Sequence, residues 1–559
     1  MAKRTFAIVA VFAALLSVTL SVQAENYNYY WKGGSGNYFT QSKWQLSDGS
    51  DAPVPLSSAS DVISTFVQAD GSTVSFDYSH LGDGVKSLTI GGDNGTVSVT
   101  RSSGNTLTVA PNKFISVLDK GTLTVQNTLI INADGLVSVN GGSLSTTGIN
   151  ISGTLDYTSS KNFLNENTIN LYDGGTFNLA GSGQFRMNSA SAIMNIQGGT
   201  ATIDNISYIG VGANGVINQS GGTATFNKSL VFGWGNGDGT YNLSAGTLTT
   251  TDNAGLWCSK TTGFNTFNMT GGTANFNKAG NSFAVGLYDD GTGTQWTPQS
   301  VANVFNLYSG TVNAADTFAI QYGGTLFVAK NGENGGNGVL NAKAITLTNS
   351  GNLNMSSGTI NVGEGGIASS DNAYTITLSG GTLGTNNASW SSALNATLSN
   401  TTTFSPGEGQ TITWSGVLSG DGGITKTGAG DLKITAGDSG QAYTGGTTVS
   451  AGTLYLTGNN RGYSSVGTGD VTINSGASIV AQSHNVFGSG DGSVMPNVII
   501  NGGSLTPNQY LHMKSLEINS GTVNSHGTSG DGLDFSTRNG TITSTGSPKS
   551  LLQLKIRQH

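Results

Sequence analysis

A short string recurs along this chain: an apolar residue, Asn, two variable positions, Gly or a small residue, Gly and Thr. It reads Met194-Asn195-Ile196-Gln197-Gly198-Gly199-Thr200, then Ile217-Asn218-Gln219-Ser220-Gly221-Gly222-Thr223. Further copies are Asn242 to Thr247, Asn268 to Thr273, Asn306 to Thr311 and Asn354 to Thr359. In all six, Asn lies four residues before the Gly that precedes Thr. Successive Gly–Thr pairs begin at Gly199, Gly222, Gly246 and Gly272, a nearly constant spacing. Looser copies sit at Gly142-Ser143, Gly175-Thr176, Gly324-Thr325, Gly381-Thr382, Gly452-Thr453, Gly503-Ser504 and Gly521-Thr522. A period of about 20–50 residues is the signature of a solenoid or a similar array.

Between these turns the side chains alternate. Thr223-Ala224-Thr225-Phe226-Asn227 and Thr273-Ala274-Asn275-Phe276-Asn277 place an apolar residue at every second position. Period two is the pattern of strand. Each repeat therefore holds two or three strands of about five residues, joined by Gly-, Asn- and Asp-rich turns. One repeat cannot bury its apolar face alone, whereas stacked repeats can. The expected fold is all-β: a right-handed parallel β-helix with a small N-terminal cap region. Neighbouring coils would stand about 4.8 Å apart. The aligned asparagines would then form a ladder of amide hydrogen bonds, with Phe, Ile, Leu and Val stacked inside. The Gly–Gly–Thr strings answer the need of tight turns for positive φ. They do not make a phosphate loop, because no Gly-x-x-x-x-Gly-Lys-[Ser/Thr] opens a helix.

Composition agrees with this reading. Gly supplies 85 of 559 residues, and charged residues only 10%. Of the 31 acids, 25 are Asp and 6 are Glu; Asp suits turns and Glu suits helices. Helical bundles and coiled coils are thereby excluded. Pro is too scarce for a structureless Pro/Gly tract, and no Gly-x-y period exists for collagen.

Residues 1–24 read as a secretory signal peptide. Lys3 and Arg4 are followed by the uncharged run Phe6 to Leu20. Val22-Gln23-Ala24 then gives a small-x-small cleavage pattern with the cut after Ala24. The run is short for a membrane span. Cleavage takes the formal charge from −8 to near −10. The expected location is secreted or cell surface, in a bacterial setting. No transmembrane segment is expected in the mature chain, and the missing basic stripe argues against nucleic acid. Cys258 stands alone, so it offers no internal disulfide and no metal cluster; it reads as a small apolar strand residue.

The expected organisation is a Trp- and Tyr-containing cap at 25–85, coils of the Asn-x-x-Gly-Gly-Thr type at 86–400, a distinct repeat at 401–460, further coils at 461–545 and an atypical tail at 546–559. In the cap, Trp31, Trp44 and nearby tyrosines would plug the first open coil, because a solenoid end exposes unpaired backbone groups. Sugar stacking on Trp31 or Trp44 is the alternative.

Residues 417–458 carry Lys426, Gly428-Ala429-Gly430, Leu432, Ile434, Tyr443-Thr444-Gly445-Gly446-Thr447 and Gly452-Thr453-Leu454. In order and spacing this segment resembles the autotransporter-associated β-strand repeat, also called the passenger-associated transport repeat. The match is confined to this one segment of the chain. Asp431 stands where that pattern has Thr, and Gly437 to Gln441 is irregular. The resemblance implies a β-helical exported stalk that helps a passenger fold outside the cell. The Trp31-Lys32-Gly33-Gly34, Gly36-Asn37-Tyr38 and Trp44 stretch, followed by Pro53, Pro55 and Asp61-Val62-Ile63, resembles the start of large exported Gly-rich bacterial proteins. A full autotransporter would also carry a membrane barrel, with alternating strands of about ten residues. The sequence from 480 onward instead reads as turn-rich coil. A truncated gene, a shifted reading frame or a small C-terminal cap are the readings of its end.

Parallel β-helices also include polysaccharide lyases and hydrolases, which need clustered acids and basic residues. Here His80, His484, His512, His526 and His559 have no spaced partners, and Arg occurs six times. Asp238-Gly239, Asp421-Gly422, Asp491-Gly492 and Asp531-Gly532 are turn strings. Asp289-Asp290 is a conceivable calcium site, without the tandem Gly-Gly-x-Gly-x-Asp array that would support it. No Ser/His/Asp order or Gly-x-Ser-x-Gly is readable. No catalytic, cofactor or metal residue is therefore assigned. The expected function is a non-catalytic exported stalk or adhesin-like scaffold, resembling an autotransporter passenger without its barrel and meeting glycans or other cell-surface components. The alternatives are a polysaccharide-active enzyme and an inert truncated passenger.

Overall fold

The structure is a computed structural model. It describes residues 26–53, 56, 62–68, 71–76, 81, 85–92, 96–101, 106–234, 237–257, 264–287, 303–329, 336–435, 440–458, 464–488, 495–509, 511–524, 533–534 and 541–544. The signal sequence 1–24, His80, Cys258, Asp289, Asp290, His526 and the tail 546–559 lie outside the described residues. Strand accounts for 63% of the described residues, which contain no α-helix. Strands pair in parallel with the equivalent strand one coil away, so the fold is a parallel β-helix. The chain divides into two compact units, residues 1–147 with 153–155 and residues 148–152 with 156–559.

In the first unit, coil stacking already begins at strand Asn26–Trp31, which pairs in parallel with Val62–Val67. The same rung continues through Val85–Ile90 and Phe114–Val117. A short strand, Trp44–Gln45, folds back antiparallel on the first rung and brings Trp31 opposite Trp44. Trp31, Tyr38 and Trp44 are buried, with edge-to-face contacts of 5.1 Å between the tryptophans and 5.3 Å between Tyr38 and Trp44. The indole N–H of Trp44 donates to the Tyr38 carbonyl at 2.7 Å, and that of Trp31 to the Gly34 carbonyl at 3.0 Å. The Tyr38 hydroxyl shares a 2.8 Å hydrogen bond with Thr65. These residues form a small aromatic core with satisfied polar tips, and neither indole is open to a sugar ring.

In the second unit, one long strand commonly supplies two faces of a coil. Gly215–Phe226 pairs in parallel with Gly239–Thr250, which pairs with Thr266–Phe276, which pairs with Val304–Gln321. The bend falls at the Gly–Gly–Thr string. Gly222 there has φ +60, and a Cβ on it would stand 2.4 Å from the Gly198 carbonyl of the coil before. Only Gly accepts both the left-handed backbone and that close approach. The corners are also where register slips, between Gln219 and Thr223 and again between Met269 and Thr273. The two faces supplied by these long strands keep register on either side of the corner, whereas the remaining face slips at Leu256/Trp257 and Asn281/Phe283.

Alternation decides what faces inward. Ile217, Tyr241, Phe267, Phe305 and Leu326 follow one another in register and are all buried. The rings of Tyr241, Phe267 and Phe305 stack at 5.1 and 4.6 Å with interplanar angles of 5°. Phe283 and Phe318 stack likewise at 5.6 Å on another face. Such a core is continuous along the unit, each coil burying its apolar side against the next.

Candidate functional site

Three arrangements of polar groups stand out, and each is built by the coil repeat. The first lies on the outside. Asn150, Asn170, Asn195, Asn218, Asn242, Asn268 and Asn306 hold one register position through seven coils. Each Nδ2 donates to the Oδ1 of the asparagine before it, at 2.8–2.9 Å. The amides are half-buried, so the ladder coats the solenoid rather than filling it. A second ladder joins Asn275, Asn313, Asn341 and Asn361, each step 2.9 Å.

The expected ladder of six is therefore partly corrected. Asn195, Asn218, Asn242, Asn268 and Asn306 belong to it. Asn354 does not, because its register neighbours are Phe327 and Thr377. The extra strand Thr325–Val328 pairs onto the Asn306 rung and ends the run. Asn150 and Asn170 belong to the ladder although they lie three and five residues before their corner Gly. The corner absorbs the difference in length. Asn227 is not an isolated residue either: it donates to Asp204 at 2.7 Å and accepts from Thr251 at 3.4 Å.

The second arrangement lies inside, in the segment that resembles the transport repeat. Lys426 is fully buried. Its Nζ donates to the carbonyls of Thr427 at 2.6 Å, Gly428 at 2.9 Å and Ala451 at 3.0 Å. Three carbonyls match the three N–H groups of an ammonium. Burial nevertheless lowers the lysine from its ordinary 10.5 to about 8, with the Asp431 carboxylate acting in the opposite direction. The other residues of the motif serve this packing. Gly452 has φ +63, and a Cβ there would stand 2.8 Å from Nζ. Tyr443 is buried, shares a 2.7 Å hydrogen bond with the Thr447 hydroxyl, and is pushed up to about 12 by burial. Gly467 leaves room for its ring, since a Cβ would stand 2.4 Å from Cδ2. Gln441 accepts from the Leu418 N–H at 2.7 Å and donates to the Gly416 and Thr435 carbonyls at 3.1 Å. Gln441 was not legible as a core residue because it lies in the irregular stretch of the segment.

The third arrangement is an outer aromatic patch that sequence reasoning missed. Arg186 and Tyr208 are register neighbours, with the guanidinium 5.9 Å from the ring centre. The Tyr208 ring lies 5.2 Å from that of Trp234. All three are half-buried, and Leu164, opposite Arg186 one coil before, is 49% exposed. Neither period nor spacing signals this patch, because it forms only when three coils are in register.

Three of the described acids make local hydrogen bonds. Asp238 accepts from the Phe264 N–H at 2.7 Å, and Asp421 from the Thr444 hydroxyl at 3.3 Å. Asp371 lies below the usual carboxylate range because the N–H groups of Asn349 and Ala373 bond to it. His512 pairs with Asn485 at 2.7 Å. Among the described residues no group of three or more His, Cys, Asp or Glu could hold a metal ion. Nor is any described helix long and apolar enough to cross a membrane. A scan against models of protein families and a search of curated proteins each found no match to this chain.

Proposed function

We propose that this protein is an exported β-helical scaffold, a surface stalk with an adhesin-like outer face, and not an enzyme. The observation that carries this reading is the fate of the transport-repeat residues. Lys426 ties the carbonyls of its own turn to that of Ala451 one coil on, Gly428 and Gly452 let neighbouring coil backbones approach, and Tyr443 is fixed to Thr447 within its own coil. A repeat whose distinctive residues are consumed by packing acts as a folding and stacking device, which is what a stalk needs. On this reading the segment 401–460 is an autotransporter-associated repeat, and residues 1–24 are a signal peptide removed after Ala24.

Glycans are the partners proposed for the outer face, at Tyr208 and Trp234 beside Arg186, since aromatic rings with a polar rim suit sugar faces. The experiment uses the mature chain. It should show no turnover of pectin, alginate or other acidic glycans, with or without calcium. Glycan or cell binding should survive Ala at Asp204, Asp289 and Asp290 together, and fall with Trp234→Ala. Lyase or hydrolase activity that disappears with one of those aspartates would replace the scaffold by a polysaccharide-active enzyme.

A further inference from the structure

One face of the second unit carries a Thr/Asn grid that ends in the first two members of the second amide ladder, Asn275 and Asn313. Thr176, Thr200, Thr223, Thr247, Thr273 and Thr311 occupy one register position through six successive coils. Two residues on, in the same strands, stand Asn178, Thr202, Thr225, Thr249, Asn275 and Asn313. All twelve are exposed or half-buried, while Phe177, Ala201, Ala224, Leu248, Ala274 and Val312 between them point inward.

The grid has two fixed repeats. Coils are about 4.8 Å apart, and next-but-one residues about 6.6 Å apart along the strand. Six coils extend it over about 24 Å. Register shifts fall at the corners before Thr223 and Thr273 and not within the grid. Threonine is β-branched and stiff at χ1, so hydroxyls and methyls repeat together. The twelve positions hold no charge and no aromatic ring; Asp156, at the edge, accepts from Asn178 at 2.7 Å. A charged ligand finds no counter-charge on the plane, and a sugar ring finds nothing to stack on. What such a plane can order is water: each hydroxyl holds a water at a fixed place, and the methyls between them favour a lattice over loose hydration.

We propose that this Thr/Asn grid is an ice-binding face. Its ligand is the ordered water lattice of an ice crystal surface, met by two-dimensional repetition rather than by a pocket. The amide ladders, each amide already bonded to the next, hold neighbouring coils in register and so keep the repeat of the grid constant.

The test is inhibition of ice recrystallisation by the mature chain, with partition into a growing ice front as a second readout. The wild type should inhibit and should partition into ice. Thr225→Tyr, which raises a bulky ring at the centre of the grid, should increase the inhibiting concentration several-fold. Its far-UV spectrum and melting temperature should stay those of the wild type. Thr413→Tyr, an outward position in a distant coil, should leave inhibition unchanged. A folded wild type that neither inhibits nor partitions would overturn the proposal. So would equal effects of the two Tyr substitutions. Pelleting with insoluble cellulose or chitin that Thr225→Tyr weakens and Trp234→Ala does not, with ice growth unaffected, would also overturn it and assign the plane to neutral glycans.

Discussion

Coils between residues 150 and 306 repeat one interaction, whereas the coils from 402 to 452 depend on an interaction made once. In the first region each coil adds one amide to a ladder and one ring or aliphatic side chain to a column. In the second, a single buried ammonium ties together carbonyls on both sides of a coil step. The two designs should fail differently. A repeated weak contact loses one unit of many, so damage stays small and local. A buried cation whose removal leaves three carbonyls without a donor has no second copy nearby.

The largest effect should come from Lys426→Ala. Deleting the ammonium leaves three carbonyls without that donor, at about 1–3 kcal/mol for each one that stays buried and unpaired. Hydrogen exchange should show protection lost across Thr402 to Val449, with the amides of 215–276 unchanged. Equal loss in both regions would mean that the unit unfolds as one block and that the contrast has no energetic content.

A smaller effect, and a sharper one, is the pH dependence. Lys426 titrates near 8 in the fold and near its ordinary 10.5 when unfolded. Between those values the unfolded chain holds a proton that the folded chain has released, so stability rises with pH through that window. The gain should approach about 3 kcal/mol. Below pH 8 both states are charged and the burial penalty is fully present. Lys426→Met should flatten the slope, read by chemical unfolding from pH 7 to 11. A slope that persists in Lys426→Met would assign it to other groups.

The smallest effect tests the ladder. Asn242→Leu removes hydrogen bonds to Asn218 and Asn268, each worth a net of about 0.5–1.5 kcal/mol. The amides are half-exposed, so water compensates the neighbours and about 1 kcal/mol is expected. Asn354→Leu has the same sequence signature but no asparagine neighbour in register, and it should change stability by less than about 0.5 kcal/mol. Equal losses at the two sites would show that the asparagines act as turn formers and not through stacking.

The fold was legible because two periods coexist in the sequence, alternation within strands and a coil repeat between them. The Gly222 column was legible too, since Gly–Gly–Thr states both a sharp turn and a backbone contact. The ladder was legible only in part. Spacing to the corner suggested Asn354 and missed Asn170, because the corner and not the strand absorbs variation in length. The grid and the Tyr208–Trp234 patch were hidden for a related reason. Membership depends on the coil above, which lies far away in sequence and whose offset changes at each corner. Lys426 was visible as a motif residue, but its burial was not, since lysine is almost never fully buried unless paired.

The corner slip has a consequence for how such a chain can change over generations. A residue gained or lost at Gln219–Thr223 or Met269–Thr273 is cancelled before the next flat face begins, so a copying error stays within its own line of text. Whole coils can then be duplicated, deleted or exchanged at these joints without rewriting their neighbours. Length becomes a quantity that recombination can adjust in steps of one coil, about 4.8 Å of rod, and the outer face can diversify at each step while the joints keep every line starting at the same margin.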